Sequence, residues 1–420
     1  MSRVFRISTL LVILLSLSSL LLACGDATST TAPATVAPTT SAATTAAATT
    51  AAAITVATTA VASTAASTTA ATTTVPTTAA ATTTAPTTAA STTTAATTTN
   101  AGSTTAASGP LTKLTLAMDW VPNTNHTGIY VALQKGWYKE AGIDLQILPY
   151  ADGAIPDVLV GEGKADLGIS GEDGVATYRA AGQPVVSIAA IIQHNTSGFA
   201  YLKDSGITRP RDLAGKRYAG FGAAYEEPVI AAVIKKDGGT DTKIQNITTN
   251  AGGYQAVAAK QADFVWIFAG WDGIQAKLDG VNLGMFFLKD SGIPDFYTPV
   301  IITSQTNVTA KAEALKAFMA ATTKGYDYAI ANPKDAADIL MAANPKGTFS
   351  NPELVYESQA YLSPLYKDDA AQWGQQTLAA WSGYPKFLFD NGVLQDPDGK
   401  PLSKELDYSS LFTTAFLPKQ

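Results

Sequence analysis

From Ala27 to Gly109 the chain carries no charged and no aromatic side chain; it is almost all threonine and alanine with scattered proline, serine and valine. Such a segment cannot bury enough apolar surface to offset the entropy of ordering it, so the composition predicts a disordered stalk, open to O-glycosylation. Its dense β-branched threonine opposes even transient helix. A flexible coil of that length averages roughly 50 Å end to end, so its role is reach. Folding is therefore confined to the stretch from Pro110 to Gln420, about 310 residues of ordinary globular composition, which suits two lobes.

Ahead of the stalk, Arg3 and Arg6 precede a run of mostly Leu, Ile, Val and Ser from Ile7 to Leu22, closed by Leu21-Leu22-Ala23-Cys24. That order reads as a secretory signal peptide over residues 1–23 ending in a bacterial lipoprotein box, with Cys24 as the lipidated residue. The run is shorter than the roughly 20 residues a spanning helix needs. The expectation is a protein on the extracytoplasmic face of the cell membrane, held by its lipid, with residues 24–110 as tether. Cys24 is the only cysteine, which excludes an internal disulfide and a zinc cluster built on several cysteines. Removal of Arg3 and Arg6 leaves 26 basic against 34 acidic residues, so the net charge moves from −6 to −8. No nucleic-acid surface is expected from that balance.

The folded part opens on LTLAMDWVPNTNHTGIYVALQKGWYKEAGIDLQI, from Leu114 to Ile147. Leu114, Leu116 and Met118 alternate with Thr115 and Ala117, the period of a half-buried strand. Pro122, Asn123 and Asn125 end it, which places Asp119 and Trp120 on a loop at the strand's carboxyl end, where open α/β sheets bind ligands. Asn125 or Thr127 can cap a following helix that Gly136 closes, and Gly142 leads into a second strand, Ile143–Leu148. Strands and helices then alternate: strand patterns at 165–170, 185–192, 199–202, 216–221, 243–248, 262–268 and 283–288, with helical patterns at 154–160, 175–180, 254–259 and 271–278 and one running to Lys236. That alternation predicts parallel strands joined by right-handed crossovers. The polar segment Gln193–Gly198 marks a crossing into a second lobe, and TPVIIT, Thr298–Thr303, a return strand. Everything beyond Lys311 is helical in period: 312–330, 333–342, 352–362 and 371–391. The plan is an α/β, two-lobed, flytrap-type binding fold of the second topological type, with a helical C-terminal region. Lobe 1 comprises 111–197 plus 301–420 and lobe 2 comprises 198–300. A two-domain enzyme shares the same coarse pattern.

Candidate ligand groups cluster at the loops. Trp120 offers a flat face for stacking on a heteroaromatic ring. Asn123, Asn125 and His126 can exchange hydrogen bonds with ring nitrogens and carbonyls, or simply cap the helix. Glu226 and Glu227 sit where a loop enters a helix, as does Glu172, and a carboxylate there can accept from an exocyclic amine or favour the helix N-terminus. Trp266, Phe268 and Trp271 gather at a strand end, with Trp271 the candidate second wall opposite Trp120. His126 and His194 are two histidines without cysteines or HExxH spacing, so no metal site is expected.

Asp119–Gly128 (DWVPNTNHTG), Gly136–Gly142 (GWYKEAG) and Ile191–Phe199 (IIQHNTSGF) resemble the substrate-binding lipoproteins that serve bacterial importers of thiamine-pyrimidine precursors. Tyr225–Pro228 (YEEP) and Phe264–Trp271 (FVWIFAGW) are similar to further segments of that family. The resemblance spans essentially all of Leu114 to Gln420. It implies a binding protein without catalysis or cofactor, and ligand contacts that include Gln193, Asn195 and Tyr225. The ligand it implies is an aminopyrimidine, such as formylaminopyrimidine or hydroxymethylpyrimidine, handed to an ABC importer permease by a monomer. Riboflavin-binding lipoproteins and the fungal pyrimidine synthase belong to the same wider superfamily. Riboflavin is thus the alternative ligand. The synthase resemblance would bring a cysteine-rich iron-binding motif, which a chain with one cysteine lacks.

Overall fold

The computed structural model describes residues 109–151, 153–248 and 253–419. The expected signal peptide, the lipidated Cys24 and the stalk lie outside the described residues. Two five-stranded sheets carry the fold. The first is built from β1 (Thr112–Ala117), β2 (Ile143–Leu148), β3 (Leu167–Ser170) and β4 (Val185–Ala190), joined late by β10 (Val300–Ser304). The second holds β5 (Ser197–Leu202), β6 (Arg217–Gly220), β7 (Gln245–Thr248), β8 (Phe264–Phe268) and β9 (Leu283–Phe287).

Their orders are β2-β1-β3-β10-β4 and β7-β6-β8-β5-β9. In each sheet the fourth strand is the one that arrives from the other sheet, and it runs antiparallel to both neighbours. The all-parallel expectation is thereby corrected: local alternation fixes parallel pairing within a lobe, as in β1 with β2 and β3, but a strand entering from the other lobe comes in reversed. The two connections, 191–196 and 288–299, form a double hinge. Burial follows position. Leu114 and Leu116 of β1 are fully buried, while β4 and β10 are buried on both faces, which is why they read as mostly apolar runs, with Ser187, Thr303 and Ser304 the buried polar exceptions.

Helix Ala312–Ala331 lies along helix Thr127–Gln134, and two glycines set how closely. A Cβ on Gly325 would stand 2.0 Å from the Gly128 carbonyl oxygen, and one on Gly128 would stand 2.3 Å from the Tyr326 ring. The Tyr326 ring stacks on Trp373 at 4.1 Å, and the Trp373 indole N–H donates to the Ile191 carbonyl at the start of the hinge. Trp373 also explains a departure from expectation. Residues 371–391 form no single helix; only Leu378–Trp381 and Tyr384–Asp390 are helical. Gly374 adopts φ +85° and its carbonyl accepts from the Ala190 amide, so here the chain turns extended to pair with β4. Further on, Leu411 and Thr413 bond to Ser187 of the same strand. The free edge of β4 is thus covered rather than left open to intermolecular pairing.

Candidate functional site

The carboxyl ends of β1, β3, β6 and β8 converge on a cavity of about 280 Å³. From the first lobe come Asp119 after β1, Ser170 at the end of β3, Gly171 and Asp173 just beyond it, and Pro156 and Asp157 at the start of helix Pro156–Gly161. From the second come Phe221 after β6, Tyr225 before helix Glu226–Lys236, and Trp266 and Phe268 of β8. Phe296 and Thr298 of the hinge and Tyr384 of the C-terminal region close it. The lining is therefore aromatic on one side and acidic on the other, with no lysine, arginine or histidine in it.

Each carboxylate is held differently. Asp157 is 4% exposed and accepts the Ser170 hydroxyl on both oxygens, at 2.9 and 2.8 Å. Burial, with Asp173 and Asp119 adding repulsion, pushes its pKa up to about 7. Asp173 is raised by burial too, against a hydrogen bond from the Tyr225 hydroxyl that favours its charged form. That bond spans the cleft from lobe to lobe. Asp119 is oriented by His126: the Asn123 amide donates to Nδ1 at 3.2 Å, which leaves the proton on Nε2, 2.9 Å from Asp119 Oδ1. The aromatic side is equally braced. Trp266 meets Phe199, Tyr225 and Phe221 edge to face at 5.6, 5.6 and 6.3 Å, and Tyr384 stacks on Phe296 at 3.9 Å. The Tyr384 hydroxyl is buried and has no protein partner among the described residues.

Of the residues singled out from sequence, Tyr225, Trp266 and Phe268 line this cavity, as does Asp119 of the loop after β1. Trp120, 42% exposed, packs its ring 4.8 Å from Tyr150 beside Asp119 rather than in the lining. Asn123, not Asn125 or Thr127, is the cap: its oxygen accepts from the Asn125 amide, and with His126 it makes a capping box over the turn Thr124–His126. The Asn125 carbonyl takes the Tyr326 hydroxyl. Glu172 is fully buried, accepts from the Tyr297 amide at 2.9 Å, and burial drives its pKa well up. Gln193 reaches the Gln375 carbonyl, and Asn195 accepts from Ser197. Glu226 staples its own loop through the Phe221 and Ala223 amides, while Glu227 is exposed and meets Asn246. Trp271, in the turn Ala269–Gly273, packs against the core of the first lobe. His194 lies between Asp295 and Asp369 at the hinge, apart from His126. Among the described residues no group of three or more His, Cys, Asp or Glu is placed to hold a metal ion.

Sequence reasoning passed over Asp157, Asp173, Phe221, Phe296 and Tyr384. Asp173 adjoins Glu172, and only the helix's orientation tells which of the two carboxylates turns to the cleft. Asp157 follows Pro156 at a helix start, a signal that also fits plain N-terminal capping.

Two sheets linked by a double hinge around a cleft make the two-lobed periplasmic-binding-protein fold, and an alkanesulfonate-binding protein from Xanthomonas axonopodis has this fold: TM-score 0.55 at 15% identity, over 73% of this chain and 99% of that one. The chain belongs to the NMT1/THI5-like family, whose profile matches residues 123–336. A formylaminopyrimidine-binding protein from Halalkalibacterium halodurans is 25% identical over 289 residues, covering 68% of this chain and 88% of that protein. A 4-amino-5-hydroxymethyl-2-methylpyrimidine phosphate synthase from Aspergillus parasiticus is 27% identical over 301 residues, 69% of this chain and 85% of the relative.

Proposed function

We propose that this chain captures an aminopyrimidine precursor of thiamine between its lobes and delivers it, unaltered, to an ABC importer permease. The observation that carries the reading is the cleft cavity, with aromatic walls for a flat ring and carboxylates for its amino and ring N–H groups. The name of the Halalkalibacterium relative supports the same ligand class. In this reading the protein works without cofactor as a monomer on the outer face of the membrane, tethered through Cys24 and residues 24–110. Lobe 1 is 111–197 with 301–420, and lobe 2 is 198–300. Closure excludes water and strengthens the enclosed hydrogen bonds, and only the closed, loaded form docks productively on the permease.

The alternative, riboflavin, is disfavoured by size. A cavity of about 280 Å³ lies at the small end of the range for ligand pockets, and suits one ring better than three fused rings with a ribityl chain. Calorimetry decides between them. Formylaminopyrimidine or hydroxymethylpyrimidine is expected to bind with Kd of about 1 µM or tighter, and riboflavin at least about a hundredfold more weakly. Tight riboflavin binding with no response to either pyrimidine would reverse the assignment.

A further inference from the structure

We infer that Asp157 and Asp173 make the cleft a charge filter, which accepts a flat ring bearing an amidine-like, donor-rich edge and rejects the same ring once it carries an anionic group such as a phosphate ester. The ligand's identity rests on the aminopyrimidine reading above; the sign of its charge does not, because it follows from the lining alone.

Three aspartates face one small cavity and nothing basic faces it. Asp157, 4% exposed, is held on both oxygens by the Ser170 hydroxyl and cannot swing away to the solvent, while Asp173 faces the Tyr225 hydroxyl of the other lobe. An anion placed here meets desolvation, carboxylate repulsion in a low-dielectric pocket and no compensating cation. A 4-aminopyrimidine presents the opposite: its exocyclic N–H and a protonated ring nitrogen lie side by side and match the two oxygens of a carboxylate. The Tyr384 hydroxyl, buried and without a protein partner among the described residues, supplies one further polar contact at the wall. The shared fold does not decide charge preference, since an alkanesulfonate-binding protein has the same two lobes.

Proton balance sets the pH dependence. The complex holds one proton between the ring nitrogen and Asp157. The groups facing Asp157 are Ser170, Asp173, Asp119 and Tyr178. Above about pH 7 the free protein has already lost the Asp157 proton, so binding must take one up and affinity falls as pH rises. Below the ligand's own ring pKa both partners are protonated, binding releases a proton, and affinity falls as pH drops.

The test titrates the intact chain with hydroxymethylpyrimidine, its phosphate ester, and the charge probes benzamidine and benzoate. The pyrimidine is expected to bind at least about a hundredfold tighter than its phosphate ester, and benzamidine measurably tighter than benzoate. D157N is expected to weaken the pyrimidine about thirtyfold and to flatten the alkaline limb of the pH profile, with D173N as a second variant should D157N melt early. Phosphate ester or benzoate binding as well as its partner would overturn the charge filter. So would D157N and D173N with unchanged affinity and pH profile. If benzamidine is preferred over benzoate while no pyrimidine binds, the filter stands and the aminopyrimidine reading falls.

Discussion

G325A is expected to destabilise the protein by about 3 kcal/mol, against the usual sign for this substitution. Glycine to alanine inside a helix ordinarily stabilises by up to about 1 kcal/mol, because alanine loses less backbone entropy. Here the added methyl would stand 2.0 Å from the Gly128 carbonyl oxygen, which is backbone and cannot rotate aside. Helices Ala312–Ala331 and Thr127–Gln134 would have to separate, and both contribute buried residues to the first lobe's core, among them Ile129, Val131, Leu315, Phe318 and Met319. Nor can Tyr326 yield, since its ring is stacked on Trp373 and its hydroxyl is bonded to the Asn125 carbonyl at 2.7 Å. Urea unfolding monitored by circular dichroism would read the change as a lowered midpoint at constant slope. A midpoint at or above that of the wild type would mean that the helix axes are farther apart than described.

The same pair of helices shows what a sequence can and cannot convey. Periodicity and stop signals place β2 at Ile143–Leu148 and the later helix at Pro333–Ala342, because both are decided by local chemistry. The return strand was legible as TPVIIT, but not its antiparallel direction, which depends on which lobe the chain comes from. The expected helix over 371–391 failed for a tertiary reason: Trp373 is drawn under Tyr326 and Gly374 pairs with β4.

The cleft divides along a similar line. Tyr225 and Trp266 were visible as aromatics at a loop and a strand end, and both line the cavity. Asn123, Asn195 and Glu226 have the right chemistry for a ligand, yet the structure commits their oxygens to nearby backbone amides. Short polar side chains near helix starts always face that competition. Asp157, Asp173 and Tyr384 were obscure because selecting one carboxylate or one tyrosine from its neighbours requires knowing how the lobes close.

W266A and W120A are expected to separate the wall of the cleft from its mouth. Trp266 is half-buried, braced by Phe199, Tyr225 and Phe221, and forms part of the lining. Its removal takes away a stacking face and lets water reach the carboxylates opposite. Ligand affinity is expected to fall about a hundredfold, or about 2.7 kcal/mol, with some loss of stability in the unliganded protein. Trp120 differs in that it is 42% exposed and packs on Tyr150 at 4.8 Å, so little of the core depends on it. It directly follows Asp119, which lines the cavity, and W120A is expected to cost at least about tenfold in affinity with an unchanged apo melting temperature. Paired calorimetry and thermal melts on the two variants give the comparison. If W266A binds like wild type, the ligand does not rest on the second lobe's aromatic wall. If W120A instead lowers the apo melting temperature and leaves affinity intact, the pair it makes with Tyr150 belongs to the scaffold and not to the ligand's path.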